Sequence, residues 1–399
     1  MSSIFRIKIL MFYLACSSLI IAILYSVAPL MDWVYLKDGA ILALLILMAQ
    51  EIKIKRNPLI ITIIFILPIL LLYSYAVSPA ESFAKIASVR QLIMPFIIFI
   101  VGYISIKKYS DYPSALKSLI SVAIIICAFG IFERFLHLWS IIDISRFFIS
   151  KKIPVFEYGY PIFFIEPVSI MGWLELPNGT PRMVSSFLDP INLGHALVFF
   201  ICLVMYDKNF TIKRPKRTGL LVLLFSCLAL TLSKGAWLQL FLVTVVLNSR
   251  GSIILKAAAL LIAMPAIYIY AQDHAGFLIH LNGFLGVFSH ITLFGHGLST
   301  FGNYSAMYNT SGQIAEGVGD SFWGSIIGQL GLLGFLLWIC PFFVIISRLG
   351  FKHYLSKVIF AQLIVSALSE NAFNLMSIAY PMLTIGMYCR AKKYAPSHT

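Results

Sequence analysis

Three short polar blocks interrupt a very apolar chain, and their residue types suit a phosphorylated, hydroxyl-bearing substrate. The first is Pro181-Arg182-Met183-Val184-Ser185-Ser186-Phe187-Leu188-Asp189-Pro190-Ile191-Asn192. A guanidinium such as that of Arg182 can hold phosphate through two parallel N–H donors, and Asp189 adds a carboxylate beside it. The second, Thr231-Leu232-Ser233-Lys234-Gly235, places an ammonium on a tight turn between two apolar runs. The third joins Leu293-Phe294-Gly295-His296-Gly297-Leu298 to Gly317-Val318-Gly319-Asp320-Ser321-Phe322-Trp323 and then to Gln329-Leu330-Gly331-Leu332-Leu333-Gly334.

Each block also has a plainer reading. Arg182 can be a snorkelling cation, with Asp189-Pro190 breaking the backbone ladder as a kink. Lys234 can be a solvated loop charge. Asp320 stands at an expected helix start, where a carboxylate caps free N–H groups. Gly331 and Gly334 suit close helix packing. Against these stands the cost of polar groups in an apolar bundle, which makes function the default explanation for them.

Secondary candidates lie nearby. Arg90, in Ser88-Val89-Arg90-Gln91, falls at the mouth of an expected span, where it touches a diphosphate or snorkels. Asn192, Glu166 and His296 complete the expected substrate contacts. Glu133 and Arg134 are expected to pair with each other or with neighbours. His137, His195, His274, His280 and His290 show no ligand-like spacing, and only His195 falls about one turn beyond Asn192. No metal ligand set and no cofactor motif is expected: there is no CxxC, and Gly295-His296-Gly297 is a glycine turn rather than a phosphate loop on a strand.

The elements that must position these residues follow from composition. Hydrophobic residues are 60% of the 399 and charged residues 12%, with a mean hydropathy of +0.92. Lipid can solvate that much apolar surface, whereas a soluble domain could not hide it. The expected fold is an all-α integral membrane protein, a single polytopic domain over 1–399 with about 12 transmembrane helices. The spans read as 9–30, 34–50, 58–77, 86–105, 116–137, 184–206, 219–233, 235–250, 253–271, 320–347, 357–371 and 374–389, the last pair being two spans or a re-entrant hairpin.

The net charge of +14 is set by topology. With these spans most Lys and Arg fall on one side, in short loops such as Lys53–Arg56 and Lys208–Arg217, and most acidic residues on the other. That is the positive-inside asymmetry, with both termini cytoplasmic and the lipid bilayer as partner rather than nucleic acid. The first span reads as its own signal-anchor. The six cysteines all lie in or beside apolar runs, so no disulfide framework is expected.

Two loops on the non-cytoplasmic side exceed the rest. The first covers 138–183 and carries Tyr158, Tyr160, Glu166 and Trp173; the aromatics stack on sugars or pack the loop. The second covers 272–319, and its Ala275–Ile291 stretch repeats Phe277, Leu281, Phe284, Leu285 and Phe288 at helical spacing, as an interfacial helix would. Loops of this length are usually functional, so chemistry is expected on this face.

In order and spacing the three blocks resemble the Wzy-type O-antigen polymerase and O-antigen ligase superfamily, over roughly residues 86–345. The matching text is Arg182 with Ser186-Phe187-Leu188-Asp189-Pro190-Ile191-Asn192, then Leu230-Thr231-Leu232-Ser233-Lys234-Gly235-Ala236, then Gly295-His296-Gly297 and Asp320-Ser321-Phe322 leading into Gly331-Leu332-Leu333-Gly334. Where the superfamily often reads Ser-Arg-Gly, this chain has Ser233-Lys234-Gly235. Where its ligases carry a functional histidine late in the second large loop, this chain reads Gly319-Asp320-Ser321, which favours a polymerase.

The resemblance implies a metal-independent glycosyltransferase of the bacterial inner membrane. It would polymerise undecaprenyl-diphosphate-linked oligosaccharide repeats of O-antigen or a related surface polysaccharide at the periplasmic face. A flippase and a chain-length regulator of the same pathway would be its partners. Arg182 and Lys234, with Arg90, would hold the diphosphate, and a carboxylate (Asp320 first, then Asp189 or Glu166) would take the acceptor's proton. Two alternatives stay open: a ligase transferring polymer to lipid A–core, and a flippase or transporter of lipid-linked sugars. A transporter should place charges and broken helices near the bilayer midplane in two related halves.

Overall fold

The computed structural model describes residues 3–28, 33–49, 67–136, 138–140, 144–150, 156–157, 168–169, 180–210, 212–246, 275–303, 305 and 320–394. These are helical almost throughout, because a long apolar run must satisfy its own backbone groups and only a helix does so within one segment. The helices, numbered in chain order, are α1 (Ser3–Val27), α2 (Leu36–Ala49), α3 (Leu67–Val77), α4 (Ser82–Ser105), α5 (Asp111–Phe135), α6 (Ser145–Ser150), α7 (Pro190–Tyr206), α8 (Arg214–Thr231), α9 (Lys234–Phe241), α10 (Ala275–Gly286), α11 (Phe322–Leu349), α12 (Tyr354–Ser366) and α13 (Leu375–Ala391). One antiparallel pair, Phe156–Glu157 with Val168–Ser169, lies in the first large loop.

Five stretches are long and apolar enough to cross a membrane: α1, α4, α5, α11 and Glu370–Tyr394, the last being α13 with its flanking 3-10 turns. Shorter apolar helices are α3, α7 and α12. Of the expected spans, 253–271 and the first part of 58–77 lie outside the described residues. The expected pair 357–371 and 374–389 is two helices joined by the 3-10 turn Glu370–Phe373. The helical spacing expected from Ala275 is met by α10 and the 3-10 turn Val287–His290.

The chain divides into two compact units. Unit 1 comprises Met1–Lys53, Pro95–Ala236 and Met376–Thr399. Its helices pack through small residues and main chain. A Cβ on Gly102 would collide with the carbonyl of Leu383, and one on Gly386 with the carbonyl of Phe99, so α4 and α13 approach backbone to backbone. The buried hydroxyl of Tyr380 donates to the Met11 carbonyl at 3.1 Å, tying α13 to α1.

Unit 2 comprises Ile54–Met94 and Trp237–Leu375. Its core is an aromatic cluster: Phe322 stacks on Phe373 with centroids 5.1 Å apart, and Trp338 meets Phe373 edge-on at 5.3 Å. The Trp338 indole N–H donates to the Leu92 carbonyl at 3.1 Å, so its polar tip is satisfied inside the core.

The main irregularity of unit 2 is in α11. Gly331 has φ +72° and ψ 179°, which interrupts the helix and frees backbone groups on both sides of it. The segment Thr292–Gly297 meets those groups. His296 N donates to Gly328 O at 2.9 Å and Gly297 N to Gln329 O at 3.0 Å, while Leu332 N donates to Thr292 O at 3.0 Å and Leu333 N to Leu293 O at 3.1 Å. The expected close helix packing is not what Gly331 provides: it packs against loop backbone where the helix breaks. A Cβ there would collide with Gly295 N and Leu293 O. Gly334, by contrast, approaches side chains, those of Leu330 and Leu70.

Candidate functional site

In unit 1 the first and second blocks fold onto each other. The Arg182 Nε donates to the Thr231 carbonyl at 3.0 Å, and Met183 N donates to Leu230 O at 2.9 Å, so the segment runs along the last turn of α8. Those carbonyls are ones a helix end leaves without an internal partner, which is why a passing chain can dock there. Arg134 donates to the Pro181 carbonyl, and Glu133 accepts from Ser185 N at 3.0 Å and from the Trp139 indole at 2.8 Å. The expectation that Glu133 and Arg134 pair with neighbours therefore holds.

Arg182 is not a snorkelling cation: its side chain is 8% exposed. Burial pulls its guanidinium pKa down from the ordinary arginine value, and the nearby Asp189 carboxylate opposes that shift. Nor does Asp189-Pro190 break a helix. Pro190 is the first residue of α7, where an N–H would have no internal partner anyway, and Asp189 is its N-cap. Asp189 Oδ1 accepts from Ile191 N at 2.8 Å and Asn192 N at 3.1 Å, and Oδ2 accepts from the Asn192 side-chain amide. Asn192 Oδ1 in turn accepts from the Ser377 hydroxyl at 2.6 Å. The capping turn is wound tightly, with Ser185 at φ 50° and Leu188 at φ 54°.

Lys234 lies on the turn that Arg182 grips. Thr231 ends α8, Leu232 takes a left-handed conformation at φ 52°, and Lys234 opens α9, exposed. A cation at a helix start opposes the helix dipole, so local stability does not explain its choice. Gly194 on α7 brings this turn close: a Cβ there would lie 2.8 Å from the Ala236 Cβ and 2.9 Å from the Ser233 Cβ. Arg182, Asp189, Asn192 and the Thr231–Lys234 turn thus gather in one place. His195, on the same helix, is fully buried.

Arg90, Asp320 and His296 belong to unit 2. Arg90 is half-buried and about two turns inside α4, because that helix starts at Ser82 rather than near 86. Asp320 is not the helix cap. Ser321 is, with its Oγ accepting from Gly324 N at 3.0 Å and donating to Ala367 O at 2.7 Å. Asp320 stands just before it at φ 56°, half-buried, and its Oδ1 accepts from the Asn303 side-chain amide at 3.3 Å. His296 is exposed; its Nε2 pairs with the His290 carbonyl at 3.0 Å and its ring lies against Phe301. Glu166, Trp173, Tyr158 and Tyr160 lie outside the described residues.

Around Asp320 runs a buried polar network that residue-by-residue reading missed. Glu370, 2% exposed, accepts from Asn303 N at 2.7 Å and from the Gln91 side chain, and its own N–H donates to Asp320 O at 3.1 Å. Gln329 donates to Phe301 O at 2.8 Å and to Ser325 Oγ at 2.7 Å, and accepts from Ser299 N at 3.0 Å. Ser299 shares a 2.6 Å hydrogen bond with Ser88. The available signal was Ser369-Glu370-Asn371, polar between two apolar runs. Among the described residues no three His, Cys, Asp or Glu side chains gather as a metal ion would need, and none of the six cysteines is in a disulfide.

No family model, no curated protein and no solved structure matches this chain.

Proposed function

We propose that this chain is a glycosyltransferase that polymerises undecaprenyl-diphosphate-linked oligosaccharide repeats at the periplasmic face of a bacterial inner membrane. The observation that carries the reading is the docking of Arg182 on the turn that leads to Lys234. Arg182 is buried and held by the Thr231 carbonyl, and Lys234 opens the next helix exposed, against the local dipole. A docked guanidinium and an exposed ammonium suit a diphosphate, for which a planar fork and a mobile point charge are complementary ligands. The resemblance of these blocks to O-antigen polymerases supports the same assignment.

In the proposed reaction the acceptor's hydroxyl oxygen attacks the anomeric carbon of the donor sugar. The bond from that carbon to the diphosphate oxygen breaks, and undecaprenyl diphosphate leaves with the electron pair. Arg182 and Lys234 stabilise the charge that develops on it, and such preorganised cations contribute several kcal/mol to a transition state. The hydroxyl proton passes to a carboxylate, assigned to Asp320. Asp189 is reassigned from base to holder, since both its oxygens already accept hydrogen bonds at the start of α7. Both termini on the cytoplasmic side, about 12 spans, and a flippase and chain-length regulator as partners belong to the same proposal. Transfer of finished polymer to lipid A–core uses the same donor and is its variant.

One observation favours a second reading, transport of lipid-linked sugars. The break of α11 at Gly331 is the kind of discontinuous helix that transporters use. The two are separated by supplying purified full-length protein in vesicles with undecaprenyl-diphosphate-linked repeat units. Polymerisation lengthens the glycan and releases undecaprenyl diphosphate. Transport moves the repeat across the bilayer at unchanged length, and that result would remove the glycosyltransferase reading.

A further inference from the structure

We propose that Glu370 is a positioning residue that fixes the carboxylate of Asp320 through Asn303. The proposal rests on the assignment of Asp320 as proton acceptor and adds a residue to it.

The geometry is a closed arrangement within unit 2. The Asn303 main-chain N–H donates to Glu370 Oε2 at 2.7 Å, and the Asn303 side-chain amide donates to Asp320 Oδ1 at 3.3 Å. The Glu370 main-chain N–H closes the loop by donating to the Asp320 carbonyl at 3.1 Å. Asp320 is thereby held at both its backbone and its carboxylate. Its φ of 56° lies in the left-handed region, which most L residues avoid and which aspartate enters at a smaller cost than most. Such strain persists only where the surroundings over-determine it, and it clusters at functional sites.

Glu370 is costly where it stands. It is a carboxyl group 2% exposed, among helices apolar enough to enter a membrane, and burying an ionisable group there is expensive unless it is put to use. The surroundings are arranged to receive it. Gly302 adopts φ 86°, and a Cβ at that position would come within 2.9 Å of Glu370 Oε2, so only glycine lets the main chain pass close enough to present the Asn303 N–H. Gln91 on α4 contributes a second donor. An apolar residue with a simple turn would join α12 to α13 equally well. What Glu370 adds is a fixed anchor, two hydrogen bonds away from the carboxylate assigned to the chemistry.

The experiment is a double-mutant cycle on the rate of glycan lengthening, in membranes holding the full-length chain, with undecaprenyl-diphosphate-linked repeat units as substrate. Glu370→Gln lowers the rate about 10- to 100-fold at unchanged substrate affinity, the size expected when a reacting group is misplaced by a fraction of an ångström to an ångström. In an Asp320→Asn background the same substitution changes the rate by about two-fold or less, because it acts through a group already gone. Asn303→Ala keeps the main-chain bond to Glu370 but removes the contact to Asp320. It shows the same pattern, and decides the matter if Glu370→Gln does not reach the membrane in normal amount. Equal losses from Glu370→Gln in both backgrounds, or none in either, overturn the positioning role and leave the polymerase reading standing. An Asp320→Asn chain with wild-type rate overturns the assignment of Asp320 and this inference with it.

Discussion

The Nε of Arg182 donates to the carbonyl of Thr231 at 3.0 Å, which ties the segment leading into α7 to the last turn of α8. Lys234 follows that carbonyl by three residues. The contact joins two blocks that are distant in sequence.

Arg182→Ala is expected to abolish chain growth, and Arg182→Lys to slow it about 100-fold or more, because an ammonium cannot both hold the Thr231 carbonyl and present a planar fork. Gel profiles of surface polysaccharide should collapse to single repeats while immunoblots show normal protein. Wild-type chain lengths in Arg182→Ala would remove the residue from the mechanism.

Lys234 is exposed and opens a helix, so replacing it should not harm folding. Lys234→Ala should weaken donor binding roughly ten-fold, the loss of one charge-assisted contact. Lys234→Arg should retain activity, because a guanidinium there reproduces the Ser-Arg-Gly turn often found in the superfamily that these blocks resemble. A titration of donor concentration against initial rate separates the two variants, and equal KM values for Lys234→Ala and wild type would count against a phosphate contact.

Asp189 combines two jobs that substitution can separate. Asp189→Asn keeps an oxygen to accept from Ile191 N and Asn192 N but removes the charge beside Arg182 and the acceptor of the Asn192 amide. Thermal stability in detergent should fall less than in Asp189→Ala, while lengthening slows. Asp189→Ala loses the cap as well, at about 1 kcal/mol, and should show a lower melting temperature. If both variants melted together and at the wild-type temperature, Asp189 would not be capping α7 in the protein.

Much of this was legible in the residues themselves. The helices at α1, α5 and α11 follow from unbroken apolar runs, and the three polar blocks stood out because lipid-compatible sequence makes polarity conspicuous. Less legible was what tertiary pairing decides. Pro190 looked like a kink, yet with Asp189 as cap it is simply the first residue of a helix. Asp320 looked like a cap, and the neighbouring Ser321 took that place because its shorter side chain reaches both Gly324 N and Ala367 O. Glu370 joined the network through Asn303, Gln91 and Asp320, partners remote in sequence that no local pattern announces.

Gly331→Ala should be among the most damaging small substitutions in the chain, since it meets both a positive φ and a collision with the Gly295 and Leu293 backbone. A loss of at least about 2 kcal/mol is expected from the backbone conformation and displaced contacts together. Gly219→Ala is the control, with nothing within 4 Å of the added methyl, and there alanine should stabilise α8 by up to about 1 kcal/mol. Melting curves of the two variants in the same detergent test the contrast; equal midpoints would deny the break in α11.

The joint at that break is made of main-chain atoms alone: four N–H groups and four carbonyls, shared between 292–297 and 328–333. A seam of this kind imposes little on side-chain identity. Relatives of this chain could therefore replace most residues along 292–297 and keep the same joint, provided glycine stays at 295, 297 and 331. Spaced glycines, more than any run of shared letters, are the trace by which distant members should be sought.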